Sequence, residues 1–170
     1  MSTPSLATPG RAQGPSPDST RAQFKGCLIA GLEEILDKMA FMVFEESGPG
    51  VPTDAEPYAY SCRIGFQGKV KGALQAFFTR RTADELARNL IGIRNEDTLR
   101  DGTRDDALKE LANILAGRAL TLLDPEVPFA LDLPSAPPVS EPPPPLPPTF
   151  QIEGMLNETD PCRIVVHLQD

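Results

Sequence analysis

The stretch DDALKELANILAGRAL, residues 105–120, has the apolar spacing of an amphipathic helix. On a helical wheel at ~100° per residue, one narrow arc carries the residues predicted to face a core: Leu108, Leu111, Leu115, Ala119 and Leu122. The opposite side carries Asp106, Glu110, Asn113 and Gly117. Asparagine and glycine are poor helix formers, and glycine costs about 1 kcal/mol relative to alanine. A face selected only for solubility would carry Glu, Lys or Ala, so this face is a candidate recognition surface.

The charge and hydropathy of the chain exclude several classes of function. The chain has 170 residues and a net charge of −8. Binding to a phosphate backbone needs clustered Lys and Arg, which an acidic chain does not favour. The sequence shows neither a signal-peptide core nor a run of ~18 apolar residues that could span a membrane. We therefore expect a cytoplasmic protein that binds neither nucleic acid nor membrane.

Proline-rich segments set the expected domain organisation, since many of the 19 prolines lie in two stretches. Residues 1–22 are mostly Pro, Ser, Thr, Ala and Gly and are predicted to be a disordered tail. Residues 23–170 are predicted to form a single domain. The second stretch, near 134–148, is predicted to be an insertion in that domain, as a surface loop or polyproline II segment.

The cysteine and histidine content limits the possible chemistry. Cys27, Cys62 and Cys162 are odd in number and widely spaced, so we predict reduced thiols in or near the core. His167 is the only histidine, which removes histidine-based triads and most zinc sites. Without paired cysteines or a glycine-rich phosphate loop, we expect no metal or organic cofactor bound by this chain.

Periodicity elsewhere predicts the order of helices and strands. One apolar helical face recurs from Phe24 to Met39 and leads into a short strand at 41–46. Alternation across 60–76 predicts an antiparallel hairpin that turns at Gln67 and Gly68.

The second half of the chain continues with a helix, the quoted helix and three strands. Thr82 and Glu85 have the spacing of a capping box and predict a helix that starts at Thr82. Strands are predicted at FALDL, TFQIEGMLNE and CRIVVHLQD. This order predicts an α+β domain in which an antiparallel sheet packs against long helices.

A family resemblance gives the candidate face a specific meaning. The stretch ELANILAG, residues 110–117, resembles the ExxN motif of the CheC/CheX/FliY family of chemotaxis phosphatases. The flanking stretches ILDKMAFMVFEE, GALQAFFTRRTADELARNLIG and LDLPS resemble that family in the same order. The similarity extends over roughly residues 24–168 and is nearest to the CheX branch. It implies a CheC/CheX-like fold and, because relatives form dimers, a possible homodimer.

The resemblance also implies roles for two side chains. In that family the asparagine orients a water molecule for in-line attack on the aspartyl phosphate of a CheY-like receiver domain. The glutamate contacts the receiver's lysine. By position, Asn113 would orient water and Glu110 would contact the lysine. The magnesium ion is expected in the phosphorylated receiver domain rather than in this chain, which has only to position water.

Two departures from the family pattern leave alternatives open. Arg118 follows the glycine, where relatives often have a small or amide residue. Some CheC-type members carry a second ExxN on the first helix, whereas this chain has EILD at 34–37. A carboxylate there would repel phosphate, so we predict one active site per chain. The alternative function is a non-catalytic CheX-like binding module in a two-component pathway, and a third hypothesis is an accidental ExxN in a structural domain.

Overall fold

Six antiparallel strands form one sheet in the part of the chain that the structure describes. A computed structural model describes residues 16–48, 57–94, 98–100, 102–140 and 148–169. The strands are β1 (Phe44–Glu46), β2 (Tyr58–Gln67), β3 (Lys71–Thr79), β4 (Ala130–Leu131), β5 (Phe150–Leu156) and β6 (Asp160–Leu168). Their order in the sheet is β1-β5-β6-β3-β2-β4. The helices are α1 (Pro17–Ile35), continued by a π-helical turn (Leu36–Ala40), α2 (Arg80–Ile91) and α3 (Thr103–Leu123). The predicted α+β class is confirmed.

The core forms where the three helices meet the sheet. In β2 and β3, alternate side chains are buried as the predicted hairpin requires, with Cys62, Ile64 and Phe66 opposite Ala76, Leu74 and Gly72. Phe24 of α1 packs against Phe66 of β2 with ring centroids 5.4 Å apart. The helical and strand periodicities therefore converge on one hydrophobic core.

Helix α1 begins earlier than the sequence analysis predicted. The predicted tail ended at residue 22, but the helix starts at Pro17. Ser16 is the N-cap, and its hydroxyl accepts a hydrogen bond from the Ser19 amide at 3.3 Å. Proline is favoured in the first helical turn, where its missing N–H is not needed. The predicted boundary was wrong because Ser16 and Pro17, which start the helix, are residue types that also dominate the predicted tail. Residues 1–15 lie outside the described residues.

Met39 and Leu122 were predicted to face the core, but both side chains are exposed. Met39 is 39% exposed, while the adjacent Ala40 is fully buried. The π-helical turn adds a residue to the helical repeat and so rotates the apolar face by about one position. Leu122, at the end of α3, is 37% exposed, and the adjacent Leu123 is buried in its place.

The start of α2 also differs from the prediction. Thr79, not Thr82, is the N-cap, and its hydroxyl accepts a hydrogen bond from the Thr82 amide at 3.2 Å. Thr82 is fully buried, and its hydroxyl lies 3.0 Å from that of Thr79. The capping-box assignment with Glu85 was therefore wrong by one helical turn, because two threonines three residues apart offered the same signal.

The first part of the proline-rich stretch lies along the sheet. Ser135 pairs with Arg63 of β2 in both directions, through N–H···O bonds of 2.8 and 2.9 Å. The Ser61 hydroxyl donates to the Pro137 carbonyl at 2.7 Å. These contacts extend β4 along the edge of the sheet, so the predicted loop does not begin at residue 134. Residues 141–147 lie outside the described part of the chain.

The three cysteines are free thiols, as predicted. Cys62 and Cys162 are buried, and burial raises the pKa of each to about 12. Cys27 is half-buried.

We predict that Gly72→Ala destabilises the fold, because a Cβ at Gly72 would collide with the carbonyl oxygen of His167 on β6. Overpacking of this kind costs about 1–3 kcal/mol, measurable by urea denaturation. Gly26→Ala is the control, since α1 leaves open space around Gly26. A Gly72→Ala variant as stable as the wild type would show that the strands are not packed as closely as described.

Candidate functional site

Helix α3 is the central helix of the domain. It packs against α1, α2, β2 and β3, so its buried face is much wider than the arc predicted from its leucines. Several of the buried positions carry alanine, whose small side chain allows neighbouring helices to approach closely. The buried residues are Ala107, Leu108, Leu111, Ala112, Leu115, Ala116, Ala119, Leu120 and Leu123. Only a narrow stripe of α3 is left at the surface.

Polar contacts hold α3 at both ends. Near the start, Arg104 pairs with Asp84 of α2 and donates to the Tyr60 hydroxyl of β2 at 2.8 Å. Just beyond the end, the Asp124 carboxylate accepts from the Lys69 ammonium at 2.8 Å. Lys69 and the amide of Glu126 lower the pKa of Asp124. Helix α3 is therefore held in register with β2 from end to end.

A third contact joins the middle of α3 to α1. Nε of Arg118 donates a hydrogen bond to Oε2 of Glu34 at 2.7 Å, and Nη2 lies 2.7 Å from the same oxygen in an ion pair. Lys38 donates to the other carboxylate oxygen of Glu34 at 2.8 Å. Hydrogen bonds from Lys38 and then Arg118 lower the pKa of Glu34. The two departures noted in the sequence, Arg118 and the EILD stretch, are thus partners in one ion-pair cluster between the helices.

The stripe of α3 that remains accessible carries the sequence-predicted site residues. Glu110 is exposed, and Asn113 and Gly117 are half-buried. Residues three apart on a helix are surface neighbours, with Cβ atoms roughly 5–6 Å apart. Within the described residues, the side chains of Glu110 and Asn113 have no hydrogen-bond or ion-pair partner. A carboxylate and a carboxamide are thus presented side by side on a helix that is fixed on its other faces.

Gly117 is lined by apolar residues that the sequence analysis did not connect with the site. A Cβ at Gly117 would lie 3.8 Å from Cδ1 of Leu131 and 3.9 Å from the ring of Phe129. The surface beside Gly117 is therefore bordered by the segment that leads into and forms β4. Periodicity within one helix could not reveal this, because it carries no information about which strand lies next to it.

The described part of the chain contains no cluster of three His, Cys, Asp or Glu side chains arranged to hold a metal ion. In the same residues, no helix is both long and apolar enough to cross a membrane.

The fold is that of chemotaxis proteins of the CheX, CheC-like and FliY type. CheX from Vibrio vulnificus is 18% identical, with a TM-score of 0.67 over 86% of this chain and 99% of that chain. The CheX of a CheX-CheY-BeF3-Mg²⁺ complex from Borrelia burgdorferi is also 18% identical, with a TM-score of 0.66 over 86% and 98%. FliY from Thermotoga maritima is 13% identical, with a TM-score of 0.58 over 90% and 91%.

Residues 60–137 match the family model described as the chemotaxis phosphatase CheX. This range contains α3, its stripe and β4. The predicted resemblance to the CheC/CheX/FliY family, nearest to the CheX branch, is confirmed. A search of curated proteins found no match.

We predict that Glu34→Gln lowers the melting temperature of the protein at neutral pH but not in acid. Because the folded-state pKa of Glu34 lies below its ordinary value of 4.5, its charge stabilises the fold above that pH. The stabilisation is lost as the pH falls through the folded-state pKa. The wild type should therefore melt at a higher temperature than Glu34→Gln at neutral pH, and the difference should disappear in acid. Glu33→Gln, on the exposed side of α1, is the control; a pH-independent difference would contradict this account.

Gly117→Ala should stabilise the protein. The added Cβ would make only ordinary van der Waals contacts with Phe129 and Leu131, while alanine raises helix stability by up to about 1 kcal/mol. Urea denaturation should show an increase in the free energy of unfolding. A decrease would mean that the Phe129 ring needs the space that glycine leaves.

Proposed function

We propose that this chain is a phosphatase that hydrolyses the aspartyl phosphate of a CheY-like response-regulator receiver domain. The observation that carries the proposal is a pair of side chains, Glu110 and Asn113, that have no partner among the residues the structure describes. They lie on the accessible stripe of α3, within the range that matches the CheX family model. The Borrelia burgdorferi relative in complex with CheY supports a receiver as the partner.

Asn113 would act by orienting water. An acyl phosphate is intrinsically reactive, and most catalysis of phosphoryl transfer lies in positioning and electrostatic stabilisation. A carboxamide oxygen can accept a hydrogen bond from the attacking water without bringing negative charge close to the phosphoryl group. No protein-bound metal is needed on this chain for such a role, since we expect the magnesium ion in the receiver.

Glu110 would orient the partner. It is exposed and lies one helical turn before Asn113, so it could form an ion pair with a receiver lysine while the asparagine enters the receiver's active site. An ion pair that closes against a partner is partly desolvated and contributes to both affinity and orientation. The glutamate therefore affects binding, whereas the asparagine acts mainly on the chemical step.

The first helix supports a single active site per chain. Glu34 holds Arg118 and Lys38 in the ion-pair cluster, and its neighbour Asp37 is an exposed carboxylate. An acidic side chain at this position would repel a phosphoryl group. We therefore propose that α1 contributes structure and that only α3 contributes catalysis.

Arg118 is the residue that bears on the alternative function, a non-catalytic binding module, because an arginine beside the stripe can change how a partner docks. Its guanidinium is bound by Glu34 of α1, which leaves the adjacent stripe to Glu110 and Asn113. This arrangement favours the phosphatase over the binding module.

We predict that Asn113→Ala abolishes most of the acceleration of receiver dephosphorylation with little change in binding or folding. The residue is half-buried on a polar stripe, so its removal should change the free energy of unfolding by at most about 0.5 kcal/mol. The loss should appear in turnover, because the interaction is made in the transition state. Phosphate release from a panel of phosphorylated CheY-like receivers, with and without the protein, measures this effect.

Glu110→Ala should weaken both binding and turnover in the same assay, and Glu126→Ala, exposed beyond the end of α3, serves as its control. A receiver whose dephosphorylation is accelerated equally by the wild type and by Asn113→Ala would rule out the proposed mechanism. Binding of a receiver without any acceleration would favour the binding module.

A further inference from the structure

We propose that Leu133, on the edge segment that continues β4, is a docking residue for the phosphorylated receiver and forms an apolar rim beside Asn113. This inference rests on the proposed function and assigns a further specificity-determining residue to the same site. Three observations lead to it: the direction of α3 relative to β2, the face of the sheet on which Leu133 lies, and its exposure.

Helix α3 runs parallel to β2 and nearly matches its length. Arg104 contacts Tyr60 near the two starts, and Asp124 contacts Lys69 just beyond the two ends. At 1.5 Å per helical residue and about 3.3 Å per strand residue, both spans are about 30 Å long. One residue of β2 therefore corresponds to about two residues of α3.

This correspondence places Leu133 level with Asn113. Leu131 pairs with Phe66, a position that the correspondence sets level with Gly117, and Leu131 does lie against Gly117. Two residues further along the antiparallel segment, Leu133 is displaced by about four helical residues towards the start of α3. That displacement brings it alongside Asn113.

Leu133 lies on the helix side of the sheet. Asp132 covers Gly65, and its amide donates to the Gly65 carbonyl at 2.9 Å. Gly65 belongs to the face of β2 that points away from the core, because its neighbours Ile64 and Phe66 are buried in the core. Leu131 pairs with Phe66 and therefore lies on the opposite face, where α3 packs. Because Ser135 pairs with Arg63, the edge segment has one extra residue between these two pairs, so Leu133 and Pro134 together oppose Ile64 as in a β-bulge, and Leu133 shares the face of Ile64.

The exposure of Leu133 indicates that the fold itself does not use it. Leu133 is 94% exposed, and Phe129 on the same segment is 40% exposed beside Gly117. The pairing of Ser135 with Arg63 fixes the segment at the sheet edge, so the leucine is presented in a defined position. An apolar contact on a receiver seated over Asn113 would bury the leucine, and burial of apolar surface stabilises a complex.

The experiment compares the kinetics of Leu133→Ser, Leu133→Met and Val43→Ser with the wild type, using the CheY-like receiver that the wild type dephosphorylates fastest. Leu133→Ser should raise KM about tenfold with kcat and melting temperature unchanged. Leu133→Met keeps an apolar side chain and should behave like the wild type. Val43 is the matched control, because it is 60% exposed and precedes β1, at the opposite edge of the sheet from β4.

Each outcome separates this inference from the proposed function. An unchanged KM for Leu133→Ser, with Asn113→Ala inactive, would overturn the docking role alone. A wild type that accelerates no receiver would overturn the proposed function and the docking role together. A change in self-association of Leu133→Ser, seen by sedimentation without a change in KM, would show that a second copy of this chain covers the leucine and would also overturn the docking role.

Discussion

The close packing of α3 against two helices and the sheet is the constraint on which the rest of the structure depends. Small side chains on the buried face of α3 allow the neighbouring helices and strands to approach closely; they belong to Ala107, Ala112, Ala116 and Ala119. The buried leucines of α3 fill the core. Close-packed interiors transmit displacement rather than absorb it. A helix held in this way cannot tilt or rotate without disturbing every neighbouring element.

That rigidity is what makes the narrow polar stripe suitable for catalysis. A group that orients water must be held within a fraction of an ångström, because a small misplacement reduces the rate steeply. The contacts of Arg104, Arg118 and Asp124 fix α3 near its start, middle and end. The side chains of Glu110 and Asn113 have no partner among the described residues, so the fold supplies position and leaves their polar atoms for a second protein.

The sequence contained most of the fold and the two candidate site residues, but not their surroundings. Periodicity identified the hairpin of β2 and β3 because apolar residues alternate along both strands and lie on the same buried face, as the paired residues Ile64 and Leu74 do. It failed where local signals were duplicated, as with Thr79 and Thr82, or where the helical repeat changed, as at Met39. A duplicated capping residue and a π-helical turn leave almost no mark on residue composition, so neither could be recognised from one sequence.

The borders of the site could not be predicted at all. That Arg118 binds Glu34, and that Phe129 lies against Gly117, follow from the relative placement of elements far apart in the chain. Motif spacing on α3 defines which residues share a face, but tertiary packing decides what lies beside that face. The roles proposed for Glu110 and Asn113 rest on the family resemblance and on the accessibility of the two side chains.

The most direct measurement of the central claim is the NMR spectrum of the Asn113 side-chain amide during titration with a CheY-like receiver loaded with Mg²⁺ and beryllium fluoride, a mimic of the phosphoryl group. If α3 presents Asn113 to the receiver's active site, this resonance should shift strongly and the backbone amides around Glu110 should shift with it. Binding that leaves the Asn113 amide unchanged, while perturbing resonances at the opposite edge of the sheet near Val43, would contradict the account.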